Sequence, residues 1–171
     1  MAKIVYHSKM GFIYDNVFPI EEQGLNVRLG EGIRTVEFNR CMKSKLVFVE
    51  ARTTFAQTDG IDISDGTNLQ KQTQEVVEKF IHSLNIYAAI KIGVIDEPMS
   101  NHSTPDKISI VFVLVVKRGT SQGCRKLSKI VFNQIPSWFT KIWGLKVYAV
   151  NGQTAINRGL VADIIDDAEE F

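Results

Sequence analysis

Alternating or continuously apolar residues make up two neighbouring stretches, Ile33 to Cys41 and Lys45 to Thr54, on either side of the polar segment "MKSK". Period-two alternation predicts strands, and the polar turn between them predicts an antiparallel hairpin. An earlier run, "KIVYHSKMGFIYDNVF", predicts another hairpin that turns near Lys9 to Gly11. Between the two, "PIEEQGLNVRLGEG" reads as a short helix opened by Pro19 and ended by Gly30 and Gly32. After the second hairpin the period changes. Leu69, Val76, Val77, Phe80, Ile81, Leu84 and Ala88 recur at helical spacing; Thr67 with Gln70 has the form of a capping box, and Gly93 marks the end. Ile108 to Val116 is almost wholly apolar, as expected of a strand covered on both faces. A further helix carries Leu127, Ile130, Val131 and Ile135; Pro136 kinks or restarts it, and "SWFTKIW" continues its apolar face. "LKVYAVNG" is the last strand of the pattern, ahead of an acidic tail, "DIIDDAEEF", that is expected to fray.

The order β-hairpin, short α, β, β, long α, β, α, β predicts an α/β fold with a mixed β-sheet flanked by helices. The long helix then crosses between parallel neighbours. With 171 residues, no repeat and no linker, residues 1–171 are expected to form a single domain. The net charge of +1 argues against a general polyanion binder and leaves room for a local basic patch. Cys41 and Cys124 stand apart, with no CxxC or His–Cys cluster, which speaks against structural zinc and suits a reducing compartment. No apolar run approaches the roughly 20 residues of a membrane-spanning helix, and "MAKIVYHSKMGF" has no signal-like core. The expectation is a cytoplasmic protein with no membrane partner.

The second hairpin gathers charge. With Lys43 and Ser44 at the centre of its turn, Glu37 falls opposite Glu50, and alternation puts Asn39, Phe48 and Arg52 on the same face. Val36, Phe38, Val47 and Val49 fall on the other. Like charges directly opposite each other destabilise a strand pair, so this face calls for a bridge: Arg52 or a divalent cation. A satisfied Glu50–Arg52 ion pair on a partly buried sheet is the structural alternative.

The acidic stretch "FPIEEQ", Glu37 on one strand, "VEAR" on the next, and a long helix that begins "QKQTQE" and leads to another strand together resemble the PD-(D/E)XK nuclease-like superfamily. The resemblance spans roughly residues 12 to 117. It implies a restriction-endonuclease-like core and metal-dependent hydrolysis of DNA or RNA phosphodiesters. Glu37 and Glu50 would hold Mg²⁺ or Mn²⁺, Glu21 or Glu22 would support the site, and Gln74 matches a polar helical motif. Arg52 stands where the superfamily has lysine. It can clamp a phosphate, but with a pKa above about 12 it cannot act as a base. Lys71 on the following helix is the candidate replacement, and Glu37 is one methylene longer than the usual aspartate. Glu21 and Glu22 also have a plain explanation, because acidic residues suit the first turn of a helix. Two other readings stay open. One is a catalytically inactive nuclease-fold subunit that binds a protein partner in a larger, defence-type assembly. The other is an unrelated α/β ligand- or partner-binding domain.

Lys117, Arg118, Arg125, Lys126 and Lys129 cluster around the start of the second long helix, as a solvated face or a nucleic-acid-contacting patch. His7, His82 and His102 show no ligand spacing, and Trp138 and Trp143 are expected as core or interface anchors.

Overall fold

The computed structural model describes residues 1–55, 66–99 and 102–166, without the side chains of residues 66 and 67. Most of the Asp/Gly/Ser-rich loop "TDGIDISDGTN", the Thr67 side chain and the tail beyond Asp166 therefore lie outside the described residues. Two sheets and a helical layer stack on one another. The first hairpin, β1 (Lys3–His7) and β2 (Met10–Tyr14), turns at Ser8 and Lys9, both at positive φ. That is the two-residue turn geometry whose twist suits paired strands. A two-residue strand, β3 (Val17–Phe18), and a short helix, α1 (Leu25–Leu29), follow. Pro19 therefore opens a run of turns, and the helix starts six residues later, behind Gly24 in the left-handed conformation.

β4 (Phe38–Met42) and β5 (Lys45–Arg52) form the expected second hairpin, with Phe38 opposite Val49 and Met42 opposite Lys45. The ladder has the expected register, but it is shorter at its start. Residues 33–37 leave the sheet, and the Val36 N–H donates to Ser83 Oγ of the next helix at 2.9 Å. Val36 consequently packs in the same cluster as Phe48, not with Phe38 and Val49 as alternation predicts.

The long helix α2 (Gly66–Lys91) crosses to β6 (Ser109–Val116), which runs parallel to β5 over its whole length, from Lys45 beside Ser109 to Arg52 beside Val116. Thr67 falls inside this helix rather than ahead of it, and Gly93 at positive φ follows its end. α3 (Ser121–Gln134) and α4 (Ser137–Trp143) are separate helices, broken where Pro136 cannot continue the ladder. β7 (Lys146–Asn151) runs parallel to β6. α5 (Gly152–Asn157) and β8 (Val161–Ile164) complete the chain. The start of the expected frayed tail is thus ordered: β8 pairs with β2, and Asp163 accepts a hydrogen bond from Tyr6 Oη at 2.8 Å.

The mixed five-stranded sheet has the order β3-β4-β5-β6-β7, and the smaller sheet the order β1-β2-β8. One face of the large sheet packs Leu46, Phe48, Phe112 and Leu114 under Phe80 and Leu84 of α2 and Leu127 and Val131 of α3. Its other face packs Val47, Val49, Val111 and Val113 against Met10 and Phe12 of the small sheet and Ala155 of α5. β6 is buried from both sides, as its composition requires. Trp143 packs partly into the first cluster, whereas Trp138 is 62% exposed and meets that cluster through the ring of its neighbour Phe139. No described helix is long and apolar enough to cross a membrane.

The helical layer depends on Phe80, fully buried and stacked on Phe112 with ring centroids 4.6 Å apart. Phe80→Ala is expected to lower stability by about 3–5 kcal/mol through lost burial and the cavity left behind. Urea denaturation checks this: the midpoint should fall with little change in slope, and a shift below about 1 kcal/mol would show that the layers do not rest on this contact.

Candidate active site

β5 carries Glu50 at the centre of the large sheet with its side chain toward α2, and only 1% of that side chain is exposed. A carboxylate in that position must be paired or protonated. Lys79 supplies the partner from α2, with Nζ donating to Glu50 Oε1 at 2.9 Å and 16% of its own side chain exposed. Arg52 Nε lies 3.1 Å from the same oxygen, in a charge contact too poorly aligned to count as a hydrogen bond. Glu50 Oε2 is buried with no hydrogen-bond partner. Burial raises the Glu50 pKa, and the cations Lys79 and Arg52 oppose that shift.

Helical periodicity builds the rest of this face. Glu75 stands one turn before Lys79 and accepts from Arg52 Nη2 at 3.1 Å, while Arg34 Nη1 lies 3.6 Å from the same Glu75 oxygen. The expected salt bridge between Glu50 and Arg52 therefore exists within a chain of alternating charges: Lys79, Glu50, Arg52, Glu75, Arg34. The α2 lysine that reaches Glu50 is Lys79, two turns beyond Lys71. Lys71 lines the adjoining cavity of about 710 Å³ with Glu21, Arg34, Thr35, Gln74 and Lys79. Thr35 is 3% exposed, and its Oγ1 has no partner.

Glu37 sits just outside β4, held to β5 by its N–H, which donates to the Val49 carbonyl at 3.1 Å. Its carboxylate does not share a partner with Glu50. It meets His7 of β1 instead, with Oε2 3.0 Å from Nδ1, and His7 Nε2 is 2.7 Å from Tyr14 Oη. His7 stacks on Tyr14, and Phe12 and Phe38 surround it. It belongs to the site although its spacing from His82 and His102 carries no signal. Those two serve elsewhere: His82 Nδ1 accepts from the Arg34 N–H, and buried His102 bridges Tyr87 and the Asn16 carbonyl.

Glu21 lies in the turns before α1, joined to this segment by its N–H, which donates to the Glu37 carbonyl at 3.4 Å. Much of its side chain is exposed, yet its carboxyl group is crowded against Glu37. Burial, the hydrogen bond to Glu37 and repulsion from Glu37 push its pKa up to about 7. Burial also pushes the Glu37 pKa up, but hydrogen bonds from His7 and Glu21 win and hold it below the usual range. His7 is raised: burial works against its charge, and Glu37 outweighs burial. Glu22 is exposed beside Glu21.

The site thus holds three carboxyl groups whose charges act on one another, Glu21, Glu37 and Glu50. Carboxylate oxygens are the donors a hard cation such as Mg²⁺ takes, and the partnerless Glu50 Oε2 is an acceptor that such an ion would satisfy. As arranged, the other oxygens are engaged internally. Among the described residues, no group of three or more His, Cys, Asp or Glu side chains is spaced to hold a metal ion.

The basic residues divide in two. Lys117 and Arg118 continue β6 beside the end of β5, where their N–H groups donate to the carbonyls of Arg52 and Thr53 at 2.9 and 3.1 Å. Lys117 Nζ is bonded to the Ile165 carbonyl. Arg125, Lys126 and Lys129 are exposed along α3.

The pKa directions carry a sign for stability. Glu21 and His7 both hold protons in the fold that the unfolded chain releases sooner, so stability should fall as pH rises from the ordinary glutamate range through about 7. Glu21→Gln should remove part of that loss, leaving the variant's stability flatter between pH 5 and about 8. Thermal denaturation across that range tests it, and parallel curves for variant and parent would refute the crowding of Glu21 and Glu37.

Comparison of the chain with protein-family models, with curated proteins and with solved structures gives no significant match.

Proposed function

We propose that the chain is a PD-(D/E)XK nuclease-like domain that hydrolyses nucleic-acid phosphodiesters with a divalent cation. The observation that carries this reading is the contact between Lys79 Nζ and Glu50 Oε1, at 2.9 Å. The motif "VEAR" lacks its lysine, and α2 returns an ammonium group to the same glutamate. The order β4, β5, long helix, β6, with β4 antiparallel and β6 parallel to β5, supports the reading as the arrangement the resemblance implies.

The Mg²⁺ or Mn²⁺ of this reading would be taken by the partnerless Glu50 Oε2, with Glu37 and Glu21 reaching it only on leaving their present partners, and it would supply charge neutralisation at the scissile phosphate. The chain's own groups supply the rest. Lys79 and Arg52 are fixed donors for nonbridging phosphate oxygens, and a guanidinium suits that task without exchanging a proton. Glu75 holds Arg52 from the far side, so its fork does not collapse wholly onto Glu50. His7 orients the Glu37 carboxylate, and Tyr14 orients His7 in turn. Glu21, whose pKa is pushed up to about 7 beside Glu37, is the carboxyl group whose proton an arriving cation would displace. The cavity of about 710 Å³ beside Lys79 gives a substrate access to this face.

A second reading, an inactive nuclease-fold subunit with a protein partner, draws on a different observation. Lys79 and Arg52 both occupy Glu50 Oε1, so the charge that a metal would balance is already balanced from within.

The two readings separate in a cleavage assay on labelled DNA and RNA with Mg²⁺, Mn²⁺ or chelator. Metal-dependent cleavage is expected, abolished by Glu50→Gln and reduced by at least about 100-fold in Lys79→Met, since removing one positioned electrostatic donor costs that much elsewhere. Arg52→Lys should retain most activity, because Lys79 already fills the lysine's place. Cleavage that persists in excess chelator would overturn the mechanism, and absence of cleavage on every substrate would favour the inactive subunit.

A further inference from the structure

Charge is segregated along the chain. Nine of the 20 Lys and Arg residues, and none of the 19 Asp and Glu, lie between Lys107 and Ala162. The near-zero total conceals a strongly basic segment that contains β6, α3, α4, β7 and α5. α3 turns one arc of that segment outward: Gln122, Arg125, Lys126, Lys129, Phe132 and Asn133 are all exposed, while Cys124, Leu127 and Val131 are buried. At 3.6 residues per turn, these six positions fall within about a third of the helix circumference. Phe132 is 40% exposed at one edge of this arc, beside Lys129.

A groove of about 320 Å³ runs between the arc and β7, lined by Ser128, Lys129, Phe132, Asn133 and Val147. Its walls are fixed. β7 is an edge strand of the large sheet, and Ser128 Oγ ties it to α3, accepting from the Ala149 N–H at 2.7 Å and donating to the Cys124 carbonyl at 2.9 Å. The groove therefore sets an aromatic ring and an amide beside a row of cations, with no acidic residue from Lys107 to Ala162 to oppose a polyanion.

We propose that this arc binds single-stranded nucleic acid, with Arg125, Lys126 and Lys129 on the phosphates and a base stacked on Phe132. A solvent-facing ring among phosphate-binding cations is useful where bases are unstacked; in a duplex the flat faces are already covered. Asn133 stands beside the ring with a donor and an acceptor for a base edge. The proposal rests on the nuclease-like reading for one element, that this strand is the substrate of the candidate active site. The backbone supports that link, since Lys117 and Arg118 join the end of β5, two residues beyond Glu50, to the segment that leads into α3.

The test uses the unaltered chain with chelator, so that no metal-dependent cleavage occurs, and fluorescence anisotropy of a labelled oligo(dT) of about 20 nucleotides, long enough to span a site of this kind. Binding is expected to weaken as salt rises, with a slope of about −0.7 per phosphate neutralised. Arg125→Gln with Lys129→Gln should make that slope shallower by about 1.4. Phe132→Ala should weaken binding about 5- to 100-fold and leave the slope unchanged, because stacking releases no counterions. Its ring is on the surface, so an unchanged melting temperature shows that the fold survives. The proposal is overturned if oligo(dT) does not bind at low salt, if duplex of equal length binds as tightly, or if Phe132→Ala has no effect. It is overturned equally if polyglutamate displaces the probe as well as unlabelled oligo(dT), which would mark an acidic protein as the occupant. Binding without metal-dependent cleavage removes the nuclease reading and leaves this one standing; cleavage of duplex without single-strand binding does the reverse.

Discussion

Burial of the Glu50 carboxylate at the centre of the large sheet constrains everything around it. A lone ionised carboxylate in that position costs several kcal/mol, a large part of the margin by which most domains are stable. Lys79 and Arg52 offset this cost, and each in turn requires its own support. α2 must lie on the sheet with Lys79 over Glu50, which places Phe80 on Phe112 and Val76 and Leu84 in the same cluster. Arg52 is held by Glu75, one turn before Lys79 on the same helix. Packing and charge pairing thus specify one docking of the helix, and a shift by a turn would disrupt both.

The small sheet matters to the site for a related reason. It covers the other face of the large sheet, and its first strand ends in His7, the partner of Glu37. Register alone would set Glu37 opposite Glu50, but Glu37 leaves the sheet just before β4 and turns its carboxylate to His7, while its charge still acts on Glu50. Glu37 is relieved by His7 and by a proton on Glu21; Glu50 is relieved by Lys79. Two separate cations, one from each flanking layer, resolve a repulsion created in the middle layer. The same arrangement is compatible with a metal-dependent site at rest and with a site made inert by its own lysine, which is why activity and not geometry separates the two readings.

The surface follows a different logic. The acidic residues of the chain lie before Lys107 and after Ala162, and the basic segment between them builds the α3–β7 edge. A row of exposed cations on α3 gives a nearly neutral molecule a local field that a polyanion can follow, an effect the net charge does not reveal.

The sequence by itself determined most of the elements and the register of β4 on β5, whereas β3, α5 and β8 were not read from it. Alternation, turn residues and helical spacing are local signals, and a two-residue turn at Lys43 and Ser44 leaves one pairing in which both apolar faces agree. It also determined that Glu50 needs a partner, because that follows from the apolar run around it. It did not determine which cation answers. Lys71 and Lys79 are both on α2, two turns apart, and only the docking of the helix on the sheet decides which one reaches Glu50. His7 was invisible for the same reason: its distance from Glu37 depends on how a three-stranded sheet packs, including β8, whose second half reads as the start of an acidic tail until β2 pairs with it. Val36 left its predicted face because a bond to Ser83, 47 residues away, outweighed local alternation. Local patterns are written in neighbouring residues, whereas the partners of buried charges are chosen by contacts between layers that no short stretch of sequence contains.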